Sequence, residues 1–115
     1  MKYEYDYPMF NVTADIAVLK MFNKVYKILL IKRLNNPFKD CWALPGGYVE
    51  INEKIMDGAV RELREETSII VAKDELIAIG CFDEINRDPR GRTVSHFFVC
   101  RTNQEPIAGD DAKEC

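Results

Sequence analysis

Apolar and polar positions alternate over residues 11–21, with Val12, Ala14, Ile16, Val18 and Leu19 apolar, which predicts a half-buried strand. Phe22-Asn23-Lys24 reads as a turn. Residues 25–33 (VYKILLIKR), β-branched and aliphatic, read as a second strand pairing antiparallel with the first. Residues 34–41 contain Asn-Asn-Pro and predict a loop. Pro45 cannot donate to a ladder, so a strand ends near it, and Gly46 and Gly47 let backbone approach a ligand closely. Residues 48–50 are a short extended piece. The period then changes to that of a helix: Ile55, Met56, Ala59, Val60 and Leu63 make one stripe to face a sheet. The helix is expected to start between Asn52 and Lys54, with Asn52 as the N-cap. Gly58 costs about 1 kcal/mol in a helix interior, and a close approach of sheet backbone would account for it. Residues 69–72 and 76–85 read as further strands around a Lys73-Asp74-Glu75 turn, residues 86–92 as a loop, and residues 93–102 as a strong strand. Strands, then a helix, then strands predict one α+β domain over residues 1–115.

On that helix Glu62, Glu65 and Glu66 stand at i, i+3 and i+4 and share a face. Like charges so spaced cost a few tenths of a kcal/mol per pair on an isolated helix. A solvated face with Arg61 paired to Glu65 or Asp57 is the default account of such charges. The glycine pair just upstream and the compactness of the acidic set favour another: a hard divalent cation, Mg²⁺ above all, held by carboxylates together with substrate phosphates.

The pattern G-x5-E-x7-R-E-(apolar)-x-E-E-x-x-(apolar) is met by Gly47, Glu53, Arg61, Glu62, Leu63, Glu65, Glu66 and Ile69. It resembles the Nudix box. The family has glycine where this chain has Ser68. That position is expected in a left-handed conformation just past the helix end, where a side chain costs on the order of 1 kcal/mol. The resemblance implies an α/β/α sandwich around a mixed sheet, with the box as a loop–helix–loop. It implies hydrolysis of a nucleoside diphosphate linked to another moiety. Glu62, Glu65 and Glu66 are the expected ligands for Mg²⁺ (Mn²⁺ as a substitute), and the Gly46 carbonyl joins them by resemblance. The expected catalytic set is Glu65 and Glu66 with Arg61 and Glu53. Arg61 orients a box carboxylate, and Glu53 belongs to the supporting layer or to a second metal. The general base is either a box glutamate or a late acid, Glu105, Asp110, Asp111 or Glu114.

Residues 87–95 (RDPRGRTVS) and Gly109-Asp110-Asp111-Ala112 resemble segments of the family's ADP-ribose pyrophosphatase branch. ADP-ribose, cleaved to AMP and ribose 5-phosphate, is therefore the expected substrate. The alternative is a non-catalytic ADP-ribose or nucleotide sensor domain. Arg33, Arg87 and Arg90 are candidates for substrate contacts, because the guanidinium fork suits phosphate and ribose oxygens. Phe10, Phe38 and Tyr48 are candidates to stack on adenine. Members of this branch continue into a last strand and helix, so the chain is expected to lack them and to expose an edge that invites a homodimer.

Composition narrows the rest. A net charge of −3 gives no nucleic-acid footprint, and no apolar run has the length of a membrane span. Four cysteines without a C-x-x-C pair, and the single His96, argue against zinc. No signal peptide is apparent, so a cytoplasmic protein is expected. Cys81 and Cys100, in apolar runs, are expected to be buried thiols.

Overall fold

The computed structural model describes residues 9–35, 38–85 and 91–109, together with the backbone of 112–114. Strand β1 (Asn11–Phe22) is the axis of the fold. Its C-terminal half pairs antiparallel with β2 (Val25–Ile28), through a two-residue turn in which Asn23 and Lys24 both have positive φ, the geometry that suits a tight hairpin. Strand β3 (Ile31–Arg33) pairs with β4 (Trp42–Ala43) in a separate small sheet. Strand β5 (Gly46–Tyr48) returns to the N-terminal half of β1. Helix α1 (Ile55–Thr67) follows, then a 3-10 turn at Lys73–Glu75 and the hairpin of β6 (Ile77–Phe82) and β7 (Thr93–Arg101). β7 lies parallel to β1 along most of its length, with Asn11 opposite Thr93 and Leu19 opposite Arg101. β8 (Ala112–Glu114) joins the small sheet beside β3.

The larger sheet is thus mixed, ordered β2-β1-β7-β6 with β5 also on β1, and α1 packs on one face of it. That is the α+β architecture expected from the sequence. Ala14, Ile16 and Val18 of β1, Phe98 and Cys100 of β7, and Ala59 and Leu63 of α1 form the buried core. Ile55, Met56 and Val60 pack at its margin, so the helical stripe faces the sheet as its period requires. Among the described residues no helix is long and apolar enough to cross a membrane.

Several local expectations are corrected. The run over residues 25–33 is two strands, because the chain crosses at Leu29–Leu30 from one sheet to the other. Residues 69–72 are not a strand; Ile69 and Val71 instead enter the core from a loop. Helix α1 starts at Ile55 with Lys54 at the N-cap and no capping side chain, so Asn52 lies in the preceding turn. Cys81 is exposed, since β6 is an edge strand open on both faces, whereas Cys100 is buried and its thiol is pushed up by burial.

At the other end of α1, Ser68 adopts φ 63° and ψ 7°, the left-handed cap expected from the motif. Its N–H donates to the Arg64 carbonyl at 2.8 Å. The segment after β7 satisfies further helix-end carbonyls: Ile107 N–H donates to Thr67 at 2.7 Å and Gly109 N–H to Glu66 at 3.0 Å.

Candidate active site

Strand β5 brings two glycines under the acidic face of α1. In the sheet register Gly46 lies opposite Asp15. A Cβ on Gly46 would stand 2.3 Å from the Ala14 carbonyl oxygen and 2.8 Å from Asp15 Cα, so only glycine lets β5 approach β1 here. A Cβ on Gly47 would stand 2.7 Å from the Glu62 carboxyl carbon. The Glu62 head group therefore rests directly on β5. Glu66 is buried, and its Oε1 accepts the Gly46 N–H at 2.8 Å. A buried carboxylate needs such a donor, because desolvation without one is costly.

Arg61 holds the set together. Its Nε and Nη2 donate to the two oxygens of Glu53 at 3.1 and 2.8 Å, a bidentate pair. Its Nη1 donates to Glu62 at 2.8 Å and to Glu65 at 3.1 Å, and Nη2 also reaches the Tyr48 carbonyl at 3.1 Å. Glu53 accepts the Glu50 N–H as well, at 2.9 Å. The hydrogen bond from Arg61 is the main reason that the Glu53 carboxyl lies below its ordinary range, and Glu53 in turn drives the guanidinium up. Asp57, the other partner considered for Arg61, pairs with Lys73 at 3.1 Å. Gly58 also finds its reason here. A Cβ there would meet Glu53 Oε1 at 2.9 Å and Val49 Cγ2 at 3.3 Å. The glycine makes room for the side chain that anchors Arg61, not for sheet backbone.

A cleft of about 740 Å³ opens between the two sheets, beside these carboxylates. Glu62, Glu66, Arg61 and Arg33 line it, and so does Asp15, which the sequence reading passed over. The Thr13 hydroxyl lies 3.0 Å from the Asp15 carboxylate and 2.7 Å from the buried Ser95 hydroxyl. The alternation in β1 carried the signal, because Thr13 and Asp15 share one face of the strand while Val12, Ala14 and Ile16 take the other. What lies opposite them is a matter of tertiary register.

The other expected residues are dispersed. Glu105 is exposed and paired with Lys20, and it is not among the residues that line this cleft. Arg87, Arg90, Asp110 and Asp111 lie outside the described residues. Glu114 is described by its backbone only, opposite Lys32 in β8. Phe38 and Tyr48 line the cleft, whereas Phe10 does not; its ring centroid lies 5.8 Å from the Arg92 guanidinium.

The profile described as the NUDIX domain matches residues 11–115. The chain belongs to the Nudix family. It is 48% identical over 100 residues to an ADP-ribose pyrophosphatase of Methanocaldococcus jannaschii, covering 86% of this chain and 58% of that protein. It is 37% identical over 100 residues to the ADPR responsive transcriptional repressor NtrR of Acinetobacter baylyi, covering 85% of this chain and 39% of that one. Among solved structures it resembles a bifunctional NMN adenylyltransferase/ADP ribose pyrophosphatase of Francisella tularensis complexed with AMP and a Mn ion. The TM-score is 0.79 at 36% identity, over 96% of this chain and 34% of that one. This Nudix chain thus spans less than two thirds of the length of these relatives, from 58% down to 34%.

The donor set of this Nudix site is oxygen throughout, which suits a hard divalent cation and not zinc. Among the described residues no three acidic, His or Cys side chains are drawn together closely enough to hold an ion. Arg61 stands between Glu62 and Glu65 instead. The residues fit a cation in chemistry, and Glu62 and Glu65 would have to turn from Arg61 to take one.

Proposed function

We propose that this Nudix chain hydrolyses ADP-ribose with Mg²⁺ or Mn²⁺. Water adds to one phosphorus of the diphosphate, the bridging P–O bond breaks, and AMP and ribose 5-phosphate leave. The observation that supports this most is the seating of Glu62 and Glu66 on Gly47 and Gly46, at the wall of a cleft of nucleotide size. Glu62, Glu65 and Glu66, with the Gly46 carbonyl, would hold the cation. When bound it supplies charge neutralisation to the diphosphate. Arg61 and Glu53 keep the helix carboxylates in place. Arg33 offers a cation to phosphate or ribose oxygens.

The test is AMP release from ADP-ribose, followed chromatographically with and without Mg²⁺. Glu66→Gln should abolish turnover and keep the fold by circular dichroism, and full activity in that variant would remove Glu66 from the site. The likeness to NtrR favours a second reading, a domain that binds ADP-ribose without cleaving it. Calorimetry showing ADP-ribose binding in Mg²⁺ with no AMP formed would select it.

A further inference from the structure

The last carbonyls of a helix have no partners within it. In α1 that end carries Glu65 and Glu66, and the segment leaving β7 comes back across it. The crossing is antiparallel. The Gln104 side chain pairs with the backbone of Ile70, accepting its N–H at 2.9 Å and donating to its carbonyl at 2.8 Å. Further along, the Ile107 N–H reaches Thr67 and the Gly109 N–H reaches Glu66. The start of the segment is fixed on β1. The Thr102 N–H donates to the Leu19 carbonyl at 2.9 Å, the Lys20 ammonium donates to the Gln104 carbonyl at 3.3 Å, and Lys20 also pairs with Glu105.

Glu66 is thereby held at both ends: the Gly46 N–H bonds its carboxylate at 2.8 Å and the Gly109 N–H bonds its carbonyl at 3.0 Å. Gly109 makes the closest approach. A Cβ there would stand 2.7 Å from the Glu65 carbonyl oxygen, which is helix backbone and cannot swing aside as a side chain would. Gly109 does not have positive φ, so space and not backbone conformation requires the glycine. Displacing this end of α1 displaces the head groups of Glu65 and Glu66 with it.

We propose that Gly109 and Gln104 are positioning residues for the cation site: through the backbone of residues 65–70 they set where Glu65 and Glu66 stand over β5. The inference rests on the cation-binding part of the proposed function, not on the identity of the substrate.

Mn²⁺ is titrated into the native protein, Gly109→Ala, Gln104→Ala and Leu76→Ala, and the free ion is followed by electron paramagnetic resonance. Gly109→Ala should raise the Mn²⁺ dissociation constant about tenfold, the usual loss when an outer partner of a ligand is disturbed, and Gln104→Ala about threefold. Leu76 is a buried core residue beside the 3-10 turn whose Lys73 pairs with Asp57, towards the other end of α1. Leu76→Ala should lower the melting temperature and keep the Mn²⁺ constant within about twofold of native. In the metal-free protein, Gln104→Ala should speed hydrogen exchange at the Ile70 amide, read by NMR. At saturating Mn²⁺, turnover of ADP-ribose by Gly109→Ala should return to within about threefold of native. An unaltered Mn²⁺ constant in both segment variants, or an equal rise in Leu76→Ala, would overturn the assignment. Native protein that binds Mn²⁺ without cleaving ADP-ribose would sink the pyrophosphatase reading and leave this one to the comparison of constants; native turnover with equal constants throughout would do the reverse. Native protein that binds no Mn²⁺ would remove both. If Gly109→Ala does not fold, Gln104→Ala, at an exposed position, decides the matter.

Discussion

Replacing Ser68 by glycine should stabilise the protein. Ser68 caps α1 at φ 63°, where a Cβ crowds the backbone and a residue with a side chain loses about 1–2 kcal/mol. Removing the Cβ recovers that strain, while the freer unfolded chain takes back about 0.4–1 kcal/mol. The hydroxyl gives up little, since its contact with the Ile107 carbonyl is exposed and 3.5 Å long. The N–H bond to Arg64 is backbone and survives the change. The net gain is about 0.5–1 kcal/mol. At about 2.1 cal/mol/K per residue for 115 residues, this raises the melting temperature by about 2–4 °C. Scanning calorimetry of the native chain, Ser68→Gly and Ser68→Ala makes the comparison. Alanine keeps the Cβ and should not gain. A glycine variant that melts at or below the native temperature would refute the strain argument.

Gly46→Ala and Gly47→Ala should differ in kind. The first drives a Cβ into β1 backbone and should lower the melting temperature sharply. The second meets only the end of the Glu62 side chain, so it should melt near the native value but lose turnover of ADP-ribose, which paired calorimetry and AMP assays would show. Glu53 has a lowered carboxyl pKa in the folded state because Arg61 bonds it. Its contribution to stability is therefore complete above the ordinary value of 4.5 and is lost as pH falls through the lowered one. Glu53→Gln should flatten the acid limb of a stability–pH curve below that value. Iodoacetamide at pH 8 should label Cys41 and Cys81 in the native protein and Cys100 only after unfolding, by peptide mass spectrometry, because burial both covers the Cys100 thiol and pushes its pKa up.

The residues of α1 by themselves determined its apolar stripe and its acidic face, whereas its left-handed end at Ser68 was expected only through the resemblance to the Nudix box. The stripe and the face follow from a 3.6-residue period, which acts over a few neighbours. The alternation in β1 was likewise legible, because one of its faces is buried, and β7 was legible as a strand. The tertiary structure alone decided what those strands lie against. The parallel pairing of β1 with β7 joins residues about eighty positions apart, and the seat of Glu66 on Gly46 joins residues twenty apart. The same holds for Asp15 and Trp42 in the cleft wall and for Glu53 filling the space above Gly58. An unbroken apolar run such as Ile28–Ile31 does not show where the chain leaves one sheet for another. Nor does a strand's composition show whether it stands at the edge, which is why Cys81 is exposed while Cys100 is not. Contact between distant segments is selected by how the whole chain buries its surface, and no window of the sequence contains that information.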